Sequence, residues 1–146
     1  MIRYSVFKIA NKHFAVDISL VKEVFNLSRI TVLPNVGSLL AGVFNMRGII
    51  VPLLDFRSAL GIEKTNTLTA GTAIIVDYQK NLLGLAVEKV LDFITVDESK
   101  IKSAAGQIPV QMNSFLQGVY DINTLGQVFM IDAQKMFRLS ESIDLQ

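Results

Sequence analysis

The chain carries one small phrase twice. Residues 42–61 read GVFNMRGIIVPLLDFRSALG and residues 118–137 read GVYDINTLGQVFMIDAQKMF. In each copy Gly-Val-aromatic leads into a turn that ends in Gly48 or Gly126, and an apolar run follows. An aspartate, Asp55 or Asp132, then opens a short helix-like tail. Gly42 and Gly118 stand 76 residues apart while Asp55 and Asp132 stand 77 apart, so the second turn holds one residue more. A repeated supersecondary unit restricts the chain to architectures in which two like modules pack together.

The apolar residues recur with a period of two, which selects strands over helices. Residues 4–9 are strand-like, residues 10–13, including His13, offer a tight turn, and residues 14–16 resume as the return arm of a hairpin. Residues 72–77 and 82–87 repeat this device about a polar turn at 78–81. Each hairpin precedes a similar phrase: Val16-Asp17 leads to Val21-Lys22-Glu23-Val24, and Val87-Glu88 leads to Val90-Leu91-Asp92-Phe93. The first phrase leaves room for a helical turn around 18–21. Asp55 and Asp132 read as N-caps of short helices at 56–60 and 133–139. The Thr-rich stretch 61–71, bracketed by glycines, reads as the connection between units, and 103–109 reads as a second loop. Short strands, glycine turns and brief helices predict an all-β fold of small barrels.

With 146 residues, the chain is long enough for one ordinary domain or two small ones sharing a core. Apolar residues make up 51% and charged residues 18%, a composition that fills a sizeable core. Mean hydropathy is high at +0.44, yet the longest apolar run, 49–54, falls well short of the ~18 residues of a membrane helix. The excess reads as strands buried on both faces and as protein interfaces. The N-terminus passes straight into a strand-like run without a secretory leader, and there is no Cys for disulfides or thiolate metal sites. A cytoplasmic location is expected. The net charge of +1 gives no electrostatic reason for a polyanionic partner.

Residues suited to catalysis are sparse. The one histidine, His13, reads as a surface turn residue, with no Cys or second His to pair with. Gly37, Gly42 and Gly48 are too widely spaced for a phosphate loop and lead into strands rather than a helix. The carboxylates are scattered, and no metal-ligand cluster or nucleophile–base pair stands out. No enzymatic activity, cofactor or metal is expected. Small barrels also bind single-stranded nucleic acid through aromatic platforms in a basic groove. Here Phe7, Phe44, Phe56 and Phe129 lie inside apolar runs, and Lys100 with Lys102 is the nearest approach to a basic cluster. A single-stranded nucleic-acid module is the alternative to the protein-binding function read below.

The turn Asn45-Met46-Arg47-Gly48 remains. Gly48 supplies a positive φ and Asn45 bonds the turn backbone, which leaves Arg47 either a solvated tip or an interaction residue. The second copy, 121–125, has no counterpart to it.

Phe14-Ala15-Val16-Asp17, Val21-Lys22-Glu23-Val24, Leu33-Pro34, the run from Gly42 to Asp55 and Gly84-Leu85-Ala86-Val87-Glu88-Lys89-Val90 together resemble the CheW family of bacterial chemotaxis adaptors. The pattern N-x-R-G-x-x-x-P-x-x-D, matched from Asn45 to Asp55, is specific in company with those flanking phrases. The resemblance covers almost the whole chain. It implies two SH3-like five-stranded β-barrels sharing a core, divided as 1–66 and 67–132, with a C-terminal helix and tail at 133–146. It also implies a non-enzymatic adaptor that bridges the cytoplasmic tips of methyl-accepting chemoreceptors to the regulatory domain of the histidine kinase CheA, in arrays at the membrane but without inserting into it. By motif, the receptor-facing positions are Arg47, Val21, Glu23, Gly42, Val90 and Gly118; the resemblance assigns no residues to the kinase interface. Val21 and Val90 read equally as core valines, Gly42 and Gly118 as glycines of close strand approach, and Glu23 as a solvated charge. Glu88 departs from the Asp common in the family, and 103–109 is unlike it.

Overall fold

The computed structural model describes residues 1–27, 30, 39–57, 59–60 and 71–142. Residues 61–70 of the expected connection, Leu33-Pro34 and the end of the tail at 143–146 lie outside the described residues.

The strands run β1 (Ile2–Ile9), β2 (Lys12–Asp17), β3 (Val21–Leu27), β4 (Leu40–Met46), β5 (Ile49–Leu54), β6 (Gly71–Tyr78), β7 (Asn81–Val87), β8 (Lys89–Val96), β9 (Leu116–Ile122) and β10 (Gly126–Ile131). The helices are α1 (Val110–Asn113) and α2 (Ala133–Ser142), the second longer than the 133–139 expected. Two five-stranded sheets result, one ordered β8-β1-β2-β10-β9 and the other β3-β6-β7-β5-β4. In hydrogen-bonding terms each is an open series of strands, not a closed ring.

The expected division at residues 66 and 67 does not follow these sheets. The second sheet takes its strands from 21–87, so β3, β4 and β5 pair with β6 and β7 across that boundary. The first sheet is assembled from both ends of the chain, with β2 parallel to β10, Phe14 opposite Phe129. The hairpins are local and readable; which hairpins join one sheet is settled by burial between residues far apart in sequence.

The repeated phrase forms β4–β5 and β9–β10, and its ladder is repeated as well. Leu40 faces Leu54 and Gly42 faces Leu53, with Ala41 bulged between them. Leu116 faces Ile131 and Gly118 faces Met130, with Gln117 bulged. The Asp55 N–H donates to the Leu39 carbonyl at 2.8 Å, and the Asp132 N–H donates to the Phe115 carbonyl at 2.9 Å. The extra residue lies in the turn, which is 47–48 in one copy and 123–125 in the other. The Asp132 carboxylate accepts the Lys135 N–H at 3.1 Å and so caps α2. Buried Asp55 instead accepts the Arg57 N–H at 3.0 Å and holds the Arg57 guanidinium through both oxygens at 3.0–3.2 Å. The expected helix at 56–60 is a turn among its described residues, closed by the Leu60 N–H on the Phe56 carbonyl at 3.0 Å.

Strands are buried on both faces, as the hydropathy implied. Along β6, Ile74 and Val76 enter a central cluster while Ala73 and Ile75 enter the interior of their own sheet. Along β2, Phe14 and Val16 face the central cluster and Ala15 faces the interior of the first sheet. The central cluster draws Phe7 and Phe14 from one sheet, Leu54 and Leu85 from the other, and Met136 and Phe137 from α2, so the core is shared. His13 lies within β2 opposite Lys8, not in the turn; the loop is Ala10-Asn11, with φ of +55° and +63°.

Candidate protein-interaction site

The β4–β5 hairpin turns through Arg47 and Gly48, whose φ values are +51° and +91°. Two consecutive positive φ angles make a type I′ turn, whose twist matches the flanking strands. The Asn45 side-chain oxygen accepts the Gly48 N–H at 2.7 Å, so Asn and Gly hold the loop as expected. The sequence reading did not anticipate that Arg47 itself is left-handed.

The Arg47 side chain is 63% exposed and pairs through Nη2 with Glu23 Oε2, whose side chain is 26% exposed. Its guanidinium lies 5.8 Å from the centroid of Phe25, and the Phe25 and Phe44 rings stack at 5.6 Å. Glu23 and Phe25 belong to β3, while Phe44 and Arg47 belong to the β4 hairpin. Those are the two outermost strands of one sheet, so the sheet curls until its edges meet. Among the described residues an ion pair and a ring stack, not a main-chain ladder, join the edges.

The first sheet closes differently. After β8 the Asp97 N–H donates to the Tyr120 hydroxyl at 3.4 Å, and Lys102 exchanges two main-chain hydrogen bonds with Val119 of β9 at 2.8 and 2.9 Å. Tyr4 donates to Glu98 at 3.2 Å and accepts from Gln117 at 3.1 Å. Burial pushes the Tyr4 hydroxyl above the ordinary tyrosine value, with the Gln117 hydrogen bond acting the other way.

Of the six residues implicated by resemblance, Arg47 and Glu23 are brought into contact. Val21 and Val90 come from different sheets and are half-buried against the central cluster, so part of each serves the core. Gly42 is buried beside the Ala41 bulge. Gly118 is buried in the other sheet, where a Cβ would stand 2.1 Å from the Lys102 carbonyl oxygen. Its need for glycine is therefore steric. Phe7, Phe44, Phe56 and Phe129 are buried in the core. Sequence reasoning passed over Phe25 and the exposed pair Ile49 and Ile50, 49% and 62% accessible. Two adjacent exposed isoleucines after a turn break the period-two alternation, and that break was the available signal. Among the described residues no group of His, Asp and Glu could hold a metal ion, and no helix is long and apolar enough to cross a membrane.

The profile of the CheW-like domain family matches residues 3–141. The chain belongs to the CheW family. Among its relatives are a probable chemotaxis protein CheW of Rhizobium etli, 25% identical over 93% of this chain and 87% of that protein, and the chemotaxis protein CheW of Bacillus subtilis, 32% identical over 68% and 64%. A solved structure, the scaffolding protein TtCheW from Thermoanaerobacter tengcongensis, aligns with a TM-score of 0.73 at 27% identity, covering 89% of this chain and 88% of that one. The two sheets are thus the SH3-like subdomains of a chemotaxis adaptor of the CheW family.

Proposed function

We propose that the protein is a non-enzymatic coupling adaptor that joins the cytoplasmic tips of methyl-accepting chemoreceptors to the regulatory domain of CheA. Family membership across 3–141 supports this reading, and the exposed Arg47 turn is the observation in the fold that carries it. A receptor tip is a helical hairpin, which would lay an apolar stripe against Val21 and Val90 while a carboxylate or carbonyl meets Arg47. Arg47 suits that role because its side chain is largely exposed and held in one place by Glu23 and the Phe25 ring. An arginine in a left-handed turn position carries a conformational cost that asparagine or glycine would avoid. Gly42 and Gly118 shape the strands beneath, and the kinase binds a different face, so both partners are engaged at once. In this reading the protein works in the cytoplasm, recruited to membrane-bound receptor arrays.

Co-sedimentation with receptor-containing membranes and CheA tests the adaptor function directly. Arg47→Glu lowers incorporation at least about tenfold with little change in melting temperature, because an exposed ion pair contributes only about 0.2–1 kcal/mol. The swap Arg47→Glu with Glu23→Arg restores the internal pair but not the coupling. Recovery of coupling by the swap would show that Arg47 acts only by closing the sheet. Failure of the parent protein to enter the complex, with salt-sensitive oligonucleotide binding instead, would establish the nucleic-acid alternative.

A further inference from the structure

The hairpin β4–β5 splays away from the hairpin β6–β7. β5 pairs with β7 only at Leu53 and Leu54, opposite Gly84 and Leu85. From Ile49 to Pro52 it has β4 on one side and, among the described residues, no strand on the other. A two-residue loop makes its flanking residues, Met46 and Ile49, a hydrogen-bonded pair, so the next pair, Asn45 and Ile50, is not bonded across the ladder. The N–H and carbonyl of Ile50 therefore point away from β4, into the gap. Pro52 sits two residues on at the equivalent non-bonded position, where a strand tolerates a missing N–H.

That gap is a groove lined by Lys22, Ile49, Ile50, Asp77, Lys80 and Leu82, with Asn81 at its end. Ile49 and Ile50 are exposed, and Lys22 and Lys80 stand exposed at the rim. Asp77, the acidic residue of the lining, already accepts the Lys80 N–H at 3.1 Å. Main-chain groups unpaired among the described residues, apolar side chains and a net positive rim thus lie together.

We propose that this groove docks an extended partner segment that carries isoleucine- or valine-like anchors flanked by carboxylates. The segment pairs with the main chain of Ile50, buries its anchors on Ile49 and Ile50, and sets its carboxylates by Lys22 and Lys80. Pro52 ends the available ladder after that one pair, so the interaction is short and side chains decide its specificity. This goes beyond the adaptor function: Arg47 and Glu23 are not among the residues lining the groove, although Lys22 and Ile49 neighbour them in sequence.

The test uses the whole chain, 15N-labelled, titrated with the peptide acetyl-Glu-Ile-Thr-Ile-Glu-amide. Saturable shifts at Ile49, Ile50, Val51 and at Lys80, Asn81 and Leu82 are expected, with slowed exchange of the Ile50 amide. The same peptide with lysine for glutamate binds more weakly. Ile50→Pro removes the free donor without touching the β4 ladder and weakens binding about fivefold or more, whereas Ile50→Val leaves it unchanged. Should the proline variant misfold, Lys22→Glu with Lys80→Glu reverses the peptide preference. The proposal is overturned by equal binding of the proline variant, by shifts mapping elsewhere, by no saturable shift at millimolar peptide, or by equal binding of the lysine peptide. Dilution-dependent shifts of these amides without peptide would assign the groove to a second copy of the chain and overturn it too. In that last case, or if Lys22, Lys80 and Pro52 serve only to blunt an edge strand, adaptor activity stays intact.

Discussion

Gly118→Ala separates contact from architecture at a position the family resemblance places toward the receptor. The added methyl would stand 2.1 Å from the Lys102 carbonyl oxygen and 2.8 Å from Ile101 Cγ2. The oxygen is main chain and cannot rotate away, so the segment carrying Lys102 must retreat. That segment closes the first sheet through two hydrogen bonds with Val119, at 2.8 and 2.9 Å. Overpacking a tight interior position costs about 1–3 kcal/mol. Losing two main-chain hydrogen bonds adds about 1 kcal/mol each. The total of about 3–5 kcal/mol corresponds to a melting point lower by roughly 6–20 °C for a domain of this size. Calorimetry measures the shift, and amide exchange reports whether Lys102 and Val119 lose protection ahead of the second sheet. A melting point within about 2 °C of the parent, with those amides still protected, would refute the steric account and return Gly118 to the binding surface.

Asp55→Asn leaves the Arg57 guanidinium, whose side chain is 15% exposed, without its counter-charge, and urea unfolding should register a loss of about 3 kcal/mol. Lys80 adopts φ of +68° at the second position of a two-residue loop, so Lys80→Gly should raise the melting temperature, reflecting a gain of about 0.5–1 kcal/mol. Asp97 accepts both the amide and the hydroxyl of Ser99, at 3.1 and 2.7 Å, which holds its carboxyl below the ordinary aspartate value. A depressed pKa contributes stability above the unfolded value and loses it as pH falls through the folded one. The Ser99 amide resonance should therefore titrate with a midpoint below that of an unstructured aspartate, and Ser99→Ala should raise the Asp97 midpoint.

Local signals were legible and long-range ones were not. The repeat foretold two matching hairpins down to the residue inserted between Ile122 and Gly126, because a turn and its flanking register are set by neighbours in sequence. The helical turn expected around 18–21 from the extra residues between matching phrases is the 3₁₀ turn Ile18–Leu20, where Asp17 caps the Ser19 N–H at 2.9 Å. The sheet membership of β3, β4 and β5 was not legible, because the ladders that join them to β6 and β7, such as Leu27 with Gly71 and Leu53 with Gly84, pair residues far apart in sequence. Gly84 shows the same limit. A Cβ there would lie 2.7 Å from the Phe44 ring, a conflict between strands that only the folded chain brings together. At the candidate site, Arg47 stood out by its lack of a counterpart in the second copy. Its contact with Glu23 depends on β3 and β4 meeting as the sheet curls, which no spacing along the chain encodes.

The first sheet borrows β1 and β2 from the start of the chain and β9 and β10 from its far end. A chain emerging from the ribosome can therefore finish the 21–87 sheet while β2 still waits for the strand that covers its flank. Residues 128–130, which lie beside 13–15, are made more than a hundred residues after them, so one edge of the hairpin β1–β2 stays unpaired until then. The chain is thereby clasped end to end. A cut between residues 66 and 67 would leave both sheets incomplete in either piece, and a truncation just short of β10 would strip the hairpin β1–β2 of its neighbour.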